Sequence, residues 1–137
     1  MSGLSLEELL ISITDLKNEL HNLEYDEIEY DEKENHLHEL EDKLIFNYGD
    51  YLTKALKTIH NKHCKEKEVL TPIAYIGRNY IKRVDNTYDV EPGQGALVDV
   101  NTTTGMPCYM VIVPGPLRIL MVKGDNSRAE VWAAAPN

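Results

Sequence analysis

Leu6, Leu9, Ile13, Leu16, Leu20 and Leu23 recur at alternating steps of three and four residues. Such spacing puts all six on one stripe of an α-helix, the seam used by coiled coils and helical hairpins. Leu10 widens the stripe. Ser5 with Glu8 three residues on has the pattern of a capping box, so the helix is expected to start directly after Ser5. The stripe then lapses. Its next positions fall on Glu27, Tyr30 and Glu34, inside the carboxylate-rich stretch EYDEIEYDEKE, where pairs such as Glu27 and Asp31 set like charges one turn apart. It resumes at Leu37, Leu40, Leu44, Tyr48, Tyr51, Ala55 and Ile59. Two apolar halves of similar length predict an antiparallel hairpin with the acidic stretch at its tip. The alternative is one long helix with a weakened seam, since no Gly or Pro marks a turn there.

Asn47-Tyr48-Gly49-Asp50 reads as a break. Gly49 suits the left-handed position after a helix, and Asp50 can cap the next one. Thr71-Pro72 is a further helix start, with Thr as cap and Pro in the first turn. Ile73, Ile76, Tyr80 and Val84 would then share one face of a short helix near residues 72–83. From Tyr88 onward the chain is punctuated by turn residues: Glu91-Pro-Gly-Gln-Gly95, Asn101–Gly105, Pro114-Gly-Pro116 and Lys123-Gly-Asp-Asn126. The runs between them, GALVDV, CYMVIV, LRILMV and AEVWAAA, predict a three- or four-stranded antiparallel meander over residues 88–135. The two central runs are apolar at successive positions, so both of their faces should be covered. The expected fold is α+β: an N-terminal acidic helical hairpin or coiled-coil arm over residues 4–66, then a head over residues 67–137 in which a short helix precedes the sheet.

Charge sharpens that division. The first 70 residues carry 8 Lys/Arg and 17 Asp/Glu, the remainder 6 and 6, so the whole net charge of −9 resides in the helical half. Such an acidic chain repels phosphate backbones, which disfavours nucleic-acid binding. No apolar run approaches the roughly 20 residues that span a bilayer. The first ten residues lack the basic start of a secretory signal. Two cysteines, Cys64 and Cys108, are too few for a disulfide framework. These features lead to the expectation of a cytoplasmic protein with free thiols and no membrane attachment.

Three groups of residues carry candidate chemistry. The carboxylates Glu27, Glu29, Asp31 and Glu32 could recognise a basic partner or hold Mg²⁺, although the stretch lacks the ligand alternation and glycine of a calcium loop. Tyr75, Arg78 and Lys82 form the one basic–aromatic cluster, suited to a partner or to docking the acidic arm, within the chain or across a dimer. His60, His63 and Cys64 stand at i, i+3 and i+4 of a helix, a spacing that could offer two imidazoles and a thiolate to Zn²⁺. No catalytic signature is present, and no cofactor is demanded. The leading expectation is therefore a non-enzymatic interaction or structural protein that forms a homo-oligomer or docks a protein partner through its apolar seam and two-sided sheet. Two alternatives remain: a regulator presenting the acidic-tip carboxylates, with or without a divalent metal, to a larger enzyme, and a small enzyme or ligand-binding protein with a pocket between sheet and helices.

Overall fold

The computed structural model describes residues 5–23, 28–100 and 106–134. Helix α1 spans Leu6–His21 and opens on the expected capping box: the Ser5 hydroxyl accepts from the Glu8 N–H at 3.1 Å, and the Glu8 carboxylate accepts from the Ser5 N–H at 2.9 Å. Helix α2 spans Ile28–His63. The two pack against each other as a hairpin, burying Leu9, Leu10, Ile13 and Leu16 on one side and Leu37, Leu40 and Leu44 on the other. An ion pair between Lys33 and Glu19, at 2.6 Å, closes the far end. The acidic stretch is only partly a tip. Residues 24–27, Glu27 among them, lie outside the described residues, but Glu29 to Glu34 already form the first turns of α2.

The predicted break at Asn47–Asp50 does not occur, and α2 runs unbroken through 36 residues. Glycine in a helix interior costs about 1 kcal/mol relative to alanine. Leu44 before Gly49 and Leu52 and Leu56 after it are fully buried, so packing on both sides outweighs that local preference.

The predicted helix over 72–83 is also corrected. Only one 3-10 turn forms, at Pro72–Tyr75. Beyond it, side chains intercept the backbone N–H groups that a helix would use. The Gly77 N–H donates to the Tyr80 hydroxyl at 2.7 Å, and the Arg78 and Asn79 N–H groups donate to Gln94 Oε1 at 2.7 and 3.2 Å. Asn18 of α1 then clamps the Tyr80 backbone through both its N–H and its carbonyl.

Strands β1 (Ile81–Lys82) and β2 (Tyr88–Asp89) make a small antiparallel pair. The main sheet is the expected meander, with β3 (Ala96–Val98), β4 (Cys108–Val113), β5 (Arg118–Lys123) and β6 (Arg128–Ala133) paired antiparallel in chain order. In β4, Met110 and Ile112 lie on one face and Val111 and Val113 on the other, and all four are buried. Covering both faces takes contributions from the whole chain. The Arg118 guanidinium donates to the Tyr88 carbonyl and Arg128 to the Val90 carbonyl, holding the segment around β2 against the sheet. Glu7 in the first turn of α1 accepts from the N–H groups of Gly115 and Leu117, both at 2.8 Å, and so ties the helical hairpin to the β4–β5 turn. Gly95, at φ +95°, crosses β4 so closely that a Cβ there would collide with the Met110 carbonyl and lie 2.8 Å from Val111 Cβ. The buried cluster runs without interruption from Leu9 of α1 to Val122 of β5. Among the described residues, no helix is long and apolar enough to cross a membrane.

Candidate functional site

The three groups of residues singled out by the sequence meet different fates. Glu29, Asp31 and Glu32 stand exposed on the first turns of α2. Tyr75, Arg78 and Lys82 do not share a face, because the helix that would have aligned them is absent. Tyr75 is buried, Arg78 is exposed on the loop held by Gln94, and Lys82 pairs with Asp15 of α1 at 3.6 Å while lying over the Tyr88 ring. Lys82 thus makes within the chain the arm contact proposed for the cluster.

His60 and Cys64 do come together, and Glu66 rather than His63 joins them. Their ligand-type atoms lie within 4.8 Å of one another. The exit from α2 explains the meeting: Cys64 bridges to Val100 and the Lys65 N–H donates to the Asp99 carbonyl, which folds the chain back past His60. The His60 and Glu66 side chains are already engaged. His60 Nδ1 lies 3.1 Å from the Glu66 carbonyl, which can only accept, so that nitrogen carries the proton. Nε2 then accepts from the Tyr75 hydroxyl at 3.1 Å, and the Tyr75 oxygen accepts from the Leu70 N–H at 3.0 Å. Glu66 Oε1 accepts from the Asp99 N–H at 2.6 Å. Burial pushes the Cys64 thiol up to about 11, against the thiolate that a metal requires. As it stands, the cluster is a hydrogen-bonded joint that fixes residues 64–75 to the end of α2. His63 lies apart, on the wall of a groove between α2 and the sheet.

The outer face of α2 holds the feature that the sequence reading passed over. Phe46, the chain's only phenylalanine, is 91 % exposed at the middle of the helix. Ile45 beside it and Leu70 of the segment after α2 are exposed as well. Next to them is a hollow of about 520 Å³ between α2 and residues 68–72, with Gly49 and Thr53 on its helical side. Gly49 lies three residues from Phe46, so the protruding ring and the hollow are neighbours on one helical face. Tyr51, a further turn round, packs edge-on against Trp132 of β6 with ring centroids 5.9 Å apart. Comparison with family models, curated proteins and solved structures gives no match for this chain. Two signals could have found this patch: a large apolar residue off the buried stripe, and a glycine inside a helical period.

Proposed function

We propose that this chain is a non-enzymatic structural or interaction protein that pairs with a second copy of itself across the outer face of α2. The expected route, through the apolar seam and the two-sided sheet, has less to offer a partner, since most of the leucine stripe and the two central strands are packed inside the chain. The observation that carries the proposal is the solvent-exposed Phe46 ring beside the Gly49 hollow. A two-fold interface uses the same patch twice, so a patch bearing both a knob and a recess can complement itself.

Charge supports the same arrangement. Phe46 stands at the midpoint of α2. The half before it carries Glu29, Asp31, Glu32, Glu34, Glu39, Glu41 and Asp42 against Lys33 and Lys43, whereas the half after it carries Lys54, Lys57 and Lys62 against Asp50. Two helices crossing near their midpoints in antiparallel sense would set each acidic half beside the other copy's basic half. The apolar patch is small beside the roughly 800 Å² per partner of a standard interface. The pairing is therefore expected to be weak and reversible, and to weaken further with salt. Two free thiols suit a reducing compartment such as the cytoplasm.

Light scattering and sedimentation of the full chain over a concentration series test the proposal. The expected result is a monomer–dimer equilibrium that Phe46→Glu shifts to monomer and that Gly49→Leu, which fills the recess, also weakens. A wild-type mass that stays monomeric at every concentration, or a dimer indifferent to Phe46→Glu, overturns it. A second reading rests on the exposed Glu29, Asp31 and Glu32, which could meet a basic protein partner, with or without Mg²⁺. It gains if the chain stays monomeric.

A further inference from the structure

A separate hollow of about 380 Å³ opens between the end of α2 and the sheet. That size falls within the range of small-molecule sites, roughly 300–1,000 Å³. Its walls are apolar, formed by Val100, Cys108, Met121 and Val131. Its polar lining comprises three cations, Lys62 from α2, Lys123 at the end of β5 and Arg128 at the start of β6, together with His63 and Ser127. No carboxylate lines it among the described residues, in a chain of net charge −9.

These cations are not equally free. Arg128 is committed to Asp89, to the Val90 carbonyl and to Asn126. Lys62 and Lys123 make no ion pair among the described residues. The nearby helix C-terminus would ordinarily repel an anion. Here several of its last carbonyls are already engaged: His60 by the Cys64 N–H, and Asn61 and Cys64 by the Lys67 ammonium.

We infer that this hollow binds a small carboxylic acid with an apolar body, its chain lying along Val100, Met121 and Val131 and its carboxylate between Lys62 and Lys123. A neutral molecule of the same shape would leave both ammonium groups without a partner, and a cationic one would be repelled. The site shares Lys62 with the basic half of α2 but neither Phe46 nor the Gly49 recess, so the Phe46→Glu variant separates it from the pairing proposed above.

The test compares decanoate, decanol and decylamine, three probes of equal chain length, by isothermal titration calorimetry on the full chain below their aggregation thresholds. NMR of the Met121 methyl reports where each one goes. Decanoate is expected to bind at least tenfold more tightly than decanol, to shift the Met121 methyl, and to bind Phe46→Glu as it binds the parent. Decylamine should not bind. In the Lys62→Gln/Lys123→Gln double variant, which keeps a long polar side chain at the exposed Lys62 and the half-buried Lys123 positions, decanoate should fall to the level of decanol. Lys62→Glu/Lys123→Glu repeats this test with reversed charge, and a circular dichroism melt confirms that each variant is folded. Equal binding of the three probes, decanoate binding that ignores the lysines, a silent Met121 methyl, or no binding at all would each overturn the inference.

Discussion

Tyr80→Phe removes a single oxygen from the centre of the molecule, and its consequence can be worked out from the contacts. The Tyr80 hydroxyl is buried, donates to the Ile112 carbonyl of β4 at 2.8 Å and accepts from the Gly77 N–H at 2.7 Å. Burial raises this phenol well above the usual tyrosine range, so it stays protonated and can keep both bonds at any ordinary pH. With phenylalanine in its place, the buried Gly77 N–H has lost its acceptor, at about 1–3 kcal/mol for a stranded buried donor. The Ile112 carbonyl keeps a second lone pair, so its loss is smaller, about 0.5–1 kcal/mol. Together the change should cost about 1.5–4 kcal/mol. An unfolding entropy of about 2.1 cal/mol/K per residue gives about 0.29 kcal/mol/K for this chain of 137 residues. Each kcal/mol then moves Tm by about 3.5 °C, and the variant should melt about 5–14 °C below the parent. Tyr51→Phe, at a half-exposed position, is the control and should stay within about 0.5 kcal/mol. Calorimetry of the three proteins at one concentration measures this directly. A Tyr80→Phe melt within 2 °C of the parent (roughly half a kcal/mol on this scale) would refute the reasoning, because the 76–80 loop would then not depend on the hydroxyl for its attachment to β4.

Gly49→Ala should stabilise the monomer by about 1 kcal/mol, the helix-propensity difference. A Cβ at Gly49 would meet only Ile45 side-chain atoms, at 3.5 and 3.9 Å, so no clash opposes the gain. Denaturant melts at a concentration where both proteins are monomeric check the sign, and a less stable variant would show that the α2 backbone is not regular at this point. Cys64 and Cys108 are both buried, and burial raises both thiols, Cys64 to about 11. In the folded protein, iodoacetamide labelling at pH 8 should therefore proceed orders of magnitude more slowly than in urea. Between pH 8 and 9 the slow native rate of Cys64 should still climb about tenfold, whereas an ordinary thiol, already partly ionised at pH 8, gains only about threefold. Rapid native labelling detected by mass spectrometry would show that the α2–β4 region opens readily.

How much of this was legible in the sequence depended on where the deciding interaction lay. The capping box of Ser5 and Glu8, the leucine stripes and the turn-bounded strands are written in residues a few positions apart, and local physics sufficed for them. The helix predicted over 72–83 failed for the opposite reason. Its N–H groups are taken by Gln94 and its Tyr80 backbone by Asn18, and no local pattern announces an acceptor 15 or 62 residues away. Gly49 was misread because a glycine's preference for a helix end is local, while the burial of Leu52 and Leu56 that overrides it is tertiary. The candidate sites divide along the same line. His60 and Cys64, at i and i+4, lie close together in the structure. The third neighbour, Glu66, depended on the fold of the chain after α2, and the engagement of His60 by Tyr75 depended on a segment 15 residues on.

The same accounting narrows what remains for function. Several polar groups that first seemed available to a partner serve as joints: Glu7 holds the β4–β5 turn, Asp15 receives Tyr88 and Lys82, Asp89 receives Arg83 and Arg128, and His60 with Tyr75 pins the exit from α2. Subtracting them leaves a polarised rod. Helix α2, about 54 Å long at 1.5 Å per residue, shows carboxylates at its start and uncommitted lysines toward its end, with Phe46 halfway between. A seam of leucines can be recruited by almost any helix, but an exposed phenylalanine at the balance point of opposite charges selects a partner with the reverse order of charge, and α2 read backwards is such a partner. On that ground we propose self-pairing rather than a generic basic partner. A generic basic partner would need only the acidic half, and would leave the placement of Phe46 and the Gly49 recess without a reason.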